Sequence, residues 1–220
     1  MLTSLFAGLS ILLVGDSHLA APGYLVTTLQ DDLVKQGAQV HTIGVCGSHA
    51  GDWTQSVPGN CGGAERRNDG KLELTGSKAA TRPITELIAA DKPNLVVIVL
   101  GDTMAGYTNP AFPKTWAWQQ TTALTKAIAA TGTACVWIGP GWGTEGGKYK
   151  KNFARVKQVS AFLSNNVAPC TYIDSTVFSK PGQWATTDGQ HYTNAGYKSW
   201  GEAIAKQMAG LPVVQALRKP

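Results

Sequence analysis

Short apolar runs alternate with amphipathic stretches along most of this 220-residue chain. The apolar runs predict buried strands, because a strand covered on both faces shows no polar alternation. The predicted strands are residues 9–14, 40–45, 95–100, 134–138 and 172–174. Apolar residues at helical spacing predict helices over 22–36, 84–90, 114–130, 149–165 and 194–208. This alternation predicts an α/β fold in which a parallel sheet of about five strands is covered by helices on both faces.

The remaining part of the pattern is a polar stretch over residues 46–80, rich in Gly, Asn and Ser. We interpret it as a long loop region, and loops of this length are usually functional. We find no internal repeat, linker or low-complexity segment. The length fits one domain over residues 1–220 with a full hydrophobic core.

Ligands of such folds bind beyond the carboxyl ends of the strands. Ser17, the loop after Val45, the loop after Leu100 and the glycine-rich loop 139–143 all leave predicted strands at this edge. A further loop, before the last helix, contains Asp188-Gly189-Gln190-His191. The sequence therefore predicts one crevice lined by five segments that are distant in the chain.

Two of these segments could supply the parts of an acyl-transfer site. A serine hydroxyl such as that of Ser17 needs a base to take its proton, and His191 is the candidate base. Asp188 lies three residues before it and could fix its tautomer and stabilise the imidazolium. The backbone N–H groups of Ser17 and Gly51 are candidate oxyanion donors.

These residues carry a resemblance to a known family. The chain resembles the SGNH hydrolase superfamily, also called the GDSL esterase/lipase family, in blocks that occur in the family's order. They are Gly15-Asp16-Ser17, with His18 where leucine is often found, Ala50-Gly51-Asp52-Trp53, and Asp188 with His191. The resemblance implies a flavodoxin-like three-layer α/β/α sandwich. It also implies that Ser17 is the nucleophile, His191 the base, Asp188 its orienting acid and Gly51 an oxyanion donor.

One block departs from the family. Where the family has Gly-x-Asn-Asp, this chain has Gly101-Asp102-Thr103-Met104, so Thr103 takes the place of the oxyanion-binding asparagine. Three interpretations stay open. Thr103 reaches the oxyanion directly or through water, another group such as Asn109 replaces it, or the enzyme is slow or specialised for a different acceptor.

Aromatic side chains are the candidate substrate contacts. Trp53, Tyr107, Trp142 and Trp184 fall in loops near the predicted crevice, where flat rings would suit sugars or aryl groups. The alternative is that they pack the long loops onto the sheet. Two histidines near the site are interpreted differently: we expect His18 and His49 to be solvated loop residues.

Composition narrows the function classes. Apolar residues make up 43% of the chain and charged residues 15%, which excludes extensive disorder. The net charge of +5 would favour an anionic partner such as an acidic glycan or the cell envelope. Basic residues are scattered apart from Lys148, Lys150 and Lys151, which we interpret as a solvated basic face, so no nucleic-acid partner is predicted. No phosphate-binding glycine loop or metal-ligand spacing is present, and we predict no cofactor and no metal.

The four cysteines, Cys46, Cys61, Cys135 and Cys170, fit two disulfides in an oxidising compartment. We favour Cys46–Cys61, which closes a short loop, and Cys135–Cys170, which ties two strands together; four buried free thiols are the alternative. The apolar N-terminus lacks a basic region, and cleavage after it would remove the strand before Ser17, so we do not interpret it as a signal peptide. We expect a secreted or periplasmic protein whose signal or preceding domain is absent from this chain, without a membrane span of its own.

Together these features predict a serine esterase that removes small acyl groups, acetyl being favoured, from a small-molecule or glycan ester. The loop tryptophans and the basic charge favour a carbohydrate as that substrate. One alternative is an O-acetyltransferase domain, in which a sugar hydroxyl attacks the same acyl-enzyme. The other is a non-catalytic glycan-binding module on a hydrolase fold. We expect a monomer.

Overall fold

A computed structural model describes residues 4–218. Its centre is a mixed sheet of seven strands, in the order β4-β3-β2-β1-β5-β6-β7. The strands are β1 (Ser10–Gly15), β2 (Gln39–Val45), β3 (Gly63–Arg67), β4 (Glu73–Leu74), β5 (Leu95–Val99), β6 (Ala134–Ile138) and β7 (Thr171–Ile173). The five predicted strands, β1, β2, β5, β6 and β7, are parallel to one another.

Two additional strands lie within the stretch 46–80, which was predicted as a loop region. β3 pairs antiparallel with β2, and β4 pairs antiparallel with β3. The prediction of about five strands was therefore too low. The sequence pattern did not reveal these strands because they are short and mostly polar, and β4 is the edge strand of the sheet.

Six helices connect and cover the strands. They are α1 (Leu25–Lys35), α2 (Ile84–Asp91), α3 (Lys114–Ala129), α4 (Phe153–Asn166), α5 (Asn194–Ala209) and α6 (Pro212–Leu217). Helix α4 begins four residues later than predicted. Lys150 has a left-handed backbone conformation (φ 55°), and the Asn152 side chain caps the helix by accepting a hydrogen bond from the Arg155 N–H. Helix α6 was not predicted.

Side chains of the central strands alternate between two apolar cores, one on each face of the sheet. On β5, Val97 and Val99 pack with residues of α1, α5 and α6, whereas Val96 and Ile98 pack with residues of α2, α3 and α4. This period-2 alternation is the normal geometry of a strand. The predicted three-layer α/β/α sandwich is confirmed, and no helix in the part of the chain described is both long and apolar enough to cross a membrane.

The two disulfides are those that the sequence favoured. Cys46–Cys61 links the end of β2 to the segment before β3, and Cys135–Cys170 links β6 to the residue before β7. The first lies at the carboxyl edge of the sheet, so it fixes the loop that follows β2 beside the end of β1.

Candidate active site

Ser17 lies in a tight turn at the carboxyl end of β1. Gly15 ends the strand, and a side chain there would collide with the Val99 carbonyl oxygen on β5, so only glycine fits. The Asp16 carboxylate, fully buried, accepts a hydrogen bond from the His18 N–H at 3.0 Å and holds the turn. Burial raises the pKa of Asp16. The turn leaves Ser17 only 6% exposed, with part of its surface in a cleft.

His191 and Asp188 extend a chain of hydrogen bonds from Ser17. His191 Nε2 lies 2.7 Å from Ser17 Oγ, and His191 Nδ1 lies 2.7 Å from Asp188 Oδ2. Because a carboxylate only accepts, Nδ1 donates its proton to Asp188, and Nε2 is left to accept the serine proton. The arrangement has the geometry needed to activate a serine hydroxyl.

The Asp188 carboxylate is held in its ionised form. Burial alone would raise its pKa, but hydrogen bonds outweigh that effect and place the pKa below the ordinary value of 3.8. The donors are the N–H groups of His191, at 2.8 Å, and Gln190, at 3.0 Å, together with the His191 ring. An ionised Asp188 keeps the imidazole proton on Nδ1, so that the unprotonated Nε2 faces the Ser17 hydroxyl.

His191 itself is tuned toward the neutral form. Burial lowers its pKa below 6.5, and the neighbouring His18 lowers it further, whereas Asp188 opposes the shift. Two aromatic rings confine the imidazole. Tyr24 stacks on it with ring centres 5.7 Å apart, and Tyr149 meets it edge-on at 5.5 Å. Neither tyrosine was predicted, since their contact with His191 depends on loops that meet only in the fold.

A cleft of about 350 Å³ opens beside the Ser17 hydroxyl. Its walls combine polar groups with two tyrosine rings. They are formed by Ser17, Cys46, Gly47, Asn60, Cys61, Asp102, Thr103, Gly106, Tyr107, Thr108, Lys148, Tyr149 and Gln190. Among the predicted site residues, Ser17, Thr103 and Tyr107 thus face this space.

Gly51 does not lie in the cleft, contrary to the prediction. Its N–H donates to the Gln120 side-chain oxygen at 2.8 Å, on helix α3. Gly47 lies in the cleft instead, because β2 ends at Val45 and the chain turns at Gly47, whose φ is +83°. The N–H groups of Ser17 and Gly47 donate no hydrogen bond to any described residue, which leaves both free for an oxyanion. The position of Gly47, directly after a strand, was the signal that could have identified it.

Thr103 occupies the cleft wall, but its hydroxyl is turned toward Asp16, 3.5 Å from Oδ2. Asn109, the suggested replacement donor, lies outside the cleft, and its backbone carbonyl accepts from Arg155. A different asparagine, Asn60, does line the cleft. Its amide packs so closely on Gly47 that a side chain at Gly47 would collide with it. Asn60 was missed because it lies in the stretch predicted as loop, where sequence alone shows no orientation.

The predicted tryptophan contacts are placed elsewhere. Trp53 is fully buried in the core on the α3 face, and Trp142 is 7% exposed, with its indole N–H donating to the Thr176 and Ser179 carbonyls at 2.8 and 3.0 Å. Trp184 packs edge-on against Tyr192. These three rings fasten loops to the sheet, which was the alternative interpretation. Their large apolar area favours the interior over the cleft.

Two residues expected to be solvated are buried below the cleft. His18 is 3% exposed and contacts the Tyr197 hydroxyl and the Asp102 carboxylate, each at 2.8 Å. Lys151 is 1% exposed and forms an ion pair with Asp102 at 2.8 Å. The other members of the predicted basic face, Lys148 and Lys150, are exposed as expected. His49 is only partly solvated, with 37% of its side chain exposed and its ring edge-on against Trp116. A sequence pattern could not separate these cases, because only the fold provides a buried carboxylate as partner.

The chain is similar to known proteins in its sequence and in its fold. No family model matches the chain. The chain is 43% identical over 219 residues to Protein BcsX of Komagataeibacter xylinus, covering 99% of this chain and 82% of that protein. The chain belongs to the BcsX family.

Solved structures share the fold of this BcsX-family protein at low sequence identity. An acetylxylan esterase from Geobacillus stearothermophilus matches with a TM-score of 0.57 and 16% identity, covering 97% of this chain and 98% of that one. A peptidoglycan O-acetylesterase matches with a TM-score of 0.58 and 13% identity, covering 98% and 94%. These matches confirm the predicted α/β fold.

Proposed function

We propose that this BcsX-family protein is a serine esterase that removes small acyl groups from an ester substrate. The observation that carries the proposal is the unbroken chain of hydrogen bonds from Ser17 through His191 to Asp188 beside an open cleft. Carboxylic ester hydrolysis is also the activity in the names of the two esterases that share its fold.

The mechanism follows from the positions of the groups. His191 Nε2 takes the proton of the Ser17 hydroxyl as Oγ attacks the acyl carbonyl carbon. The tetrahedral intermediate then collapses, its bond to the alcohol oxygen breaks, and His191 returns the proton to the leaving alcohol. Water repeats the sequence on the acyl-enzyme, with His191 as base, and releases the carboxylic acid and free Ser17. Asp188 stabilises the imidazolium in both halves.

The candidate donors to the developing oxyanion line the cleft together with Ser17. The N–H groups of Ser17 and Gly47 are the backbone donors in this proposal. The Asn60 amide packs against Gly47 and is the proposed side-chain donor, in place of the asparagine of the SGNH block Gly-x-Asn-Asp. The Thr103 hydroxyl, at that asparagine's position, is turned to Asp16. The proposed donor is the Gly47 N–H instead of the predicted Gly51 N–H. In both cases a backbone N–H group would bind the oxyanion.

An acetyl ester of a carbohydrate is the proposed substrate. The cleft offers two tyrosine rings, Tyr107 and Tyr149, together with polar side chains such as Asn60 and Gln190, a combination suited to sugars. Its volume of about 350 Å³ is modest. Both named esterases of the same fold remove acetyl groups from polysaccharides according to their names. Two disulfides support a location outside the cytoplasm.

The test of the esterase is hydrolysis of p-nitrophenyl acetate by the wild type, Ser17→Ala and the matched control Ser56→Ala, an exposed serine. We expect the wild type and the control to be equally active and Ser17→Ala to fall to background. Intact mass after a serine-reactive phosphonate should show one adduct in the two active proteins. Equal background rates and no adduct would reject the esterase and favour the glycan-binding module.

Substrate class is tested separately, with acetylated polysaccharides beside long-chain lipid esters. Release of acetate from the polysaccharides supports the proposal, whereas turnover of the lipid esters alone would contradict it. Adding a sugar acceptor distinguishes the O-acetyltransferase: acetylated acceptor in place of free acetate would identify the transferase.

A further inference from the structure

A buried carboxylate outside the Ser17–His191–Asp188 chain organises the floor of the cleft. Asp102 has a fully buried side chain, and it accepts hydrogen bonds from His18 Nε2 at 2.8 Å and from the Tyr107 hydroxyl. Lys151 Nζ lies 2.8 Å from its Oδ1 and 2.9 Å from its Oδ2. We call these four residues the Asp102 cluster. A buried charge without a partner is strongly disfavoured, so the carboxylate and the ammonium are buried as a pair.

The first arm of the cluster reaches the nucleophile. His18 directly follows Ser17 in the turn after β1, and its ring is fixed on one side by Asp102 and on the other by the Tyr197 hydroxyl. Because His18 and Ser17 are neighbours in one tight turn, a displacement of the His18 backbone would also displace Ser17.

The second arm reaches the base through the loop over residues 143–151. Lys151 closes this loop by two backbone hydrogen bonds with Gly146, at 2.7 and 3.0 Å. The closed loop then supports the loop of the catalytic acid and base, since the Lys148 N–H donates to the Asp188 carbonyl at 2.9 Å. It also places the Tyr149 ring against the His191 ring, 5.5 Å between centres.

We infer that Asp102 is a positioning residue that aligns Ser17 with His191 by holding His18 through Oδ2 and Lys151 through both carboxylate oxygens. The inference rests on the proposed function, because it concerns the same hydroxyl and imidazole. Asp102 touches neither of them. It connects the two segments that bring them together, and in this chain it does so through His18, which stands where the resembling family often has leucine.

Two amide substitutions of His18 separate this role from simple core packing. Glutamine places its amide near the Nε2 position and keeps the bond to Asp102, whereas asparagine places its amide near the Nδ1 position and keeps only the bond to Tyr197. Both are polar, uncharged and smaller than or close to histidine, so both variants are expected to fold. Lys151→Met tests the second arm, with Lys150→Met, an exposed neighbour, as its matched control.

The measurements are the rate at which a serine-reactive phosphonate labels Ser17, and kcat and KM for p-nitrophenyl acetate. We expect His18→Gln to retain most of the wild-type labelling rate, and His18→Asn and Lys151→Met to lose about 10- to 100-fold, as misalignment of reacting groups by about 1 Å does. The loss should appear in kcat with KM nearly unchanged. Lys150→Met should match the wild type.

Equal labelling rates for His18→Gln and His18→Asn, or a wild-type rate in Lys151→Met, would overturn the positioning role while leaving the esterase intact. A wild type that is neither labelled nor active would reject the esterase and this inference together. The two failures are therefore distinguished by the wild-type sample of the same experiment.

Discussion

His191 Nε2 lies 2.7 Å from Ser17 Oγ, although the two residues are 174 positions apart in the chain. Strand β1 brings Ser17 to the carboxyl edge of the sheet, and the loop before α5 brings His191 to the same point. The hydrogen bond places the base within proton-transfer distance of the nucleophile.

Activity is predicted to depend on pH through His191. Burial and the neighbouring His18 lower the pKa of this histidine below 6.5. Only the neutral imidazole accepts the Ser17 proton, so kcat/KM is expected to be full at neutral pH and to fall as the pH drops through a value below 6.5. A profile of kcat/KM for p-nitrophenyl acetate checks this, and an acidic inflection above 6.5 would contradict it.

Asp188→Asn is predicted to reduce kcat by about 10⁴-fold, because the amide allows the wrong imidazole tautomer and cannot stabilise the imidazolium. KM should change little. Steady-state kinetics on p-nitrophenyl acetate measures both values. Asp69→Asn, in an exposed turn, is the matched control and should behave as wild type. A loss of less than tenfold in Asp188→Asn would speak against its role as the orienting acid.

The oxyanion site is predicted to depend on Asn60. Asn60→Ala should lower kcat by about 10²-fold, the usual effect of losing one donor. Asn109→Ala, outside the cleft, is the control and should leave kcat unchanged. In the Asn60→Ala background, Thr103→Asn introduces the asparagine of the SGNH block and should recover part of the lost kcat. Unchanged kcat in Asn60→Ala would show that the backbone donors act without this amide.

Glu65 is predicted to stabilise the fold at neutral pH. It accepts hydrogen bonds from His41 at 2.7 Å and Arg82 at 2.8 Å. The bond from His41 contributes most to lowering its pKa from 4.5 to about 2, with Arg82 adding to the effect against the opposing influence of burial. Because the folded pKa is depressed, the stabilisation is present above pH 4.5 and is lost as the pH falls through about 2.

Glu65→Gln should therefore lower the free energy of unfolding at neutral pH by about 1 to 2 kcal/mol, since solvent screens a partly exposed carboxylate and its exposed partner Arg82. Urea unfolding of the variant and the wild type over a pH series measures the difference, which should shrink steadily toward pH 2. Glu73→Gln on the exposed strand β4 is the control. A difference between Glu65→Gln and wild type that does not vary with pH would contradict the ionic origin of the effect.

Much of the fold was predicted from local pattern. The apolar runs that became β1, β5 and β6 were found within one residue of their bounds, because a doubly covered strand must be apolar along its whole length. The strands β3 and β4 were missed because they are short and mostly polar. β4 lies at the edge of the sheet, and the pairing of both strands is decided by their partner strands.

By itself the sequence determined the parallel core, because buried strands have a local hydrophobic signature. It favoured the two disulfide pairs among three possible pairings, and it identified Ser17, Asp188 and His191 as candidate site residues from their residue types and spacing. Only the tertiary structure decided which side chains share the cleft. Gly47 and Asn60 line the cleft, where Gly51 and Asn109 had been predicted. Trp53 lies in the core instead of the cleft, and Lys151 is buried against Asp102 instead of being solvated. The physical reason is that orientation and burial depend on contacts between segments far apart in the chain, which no local pattern encodes.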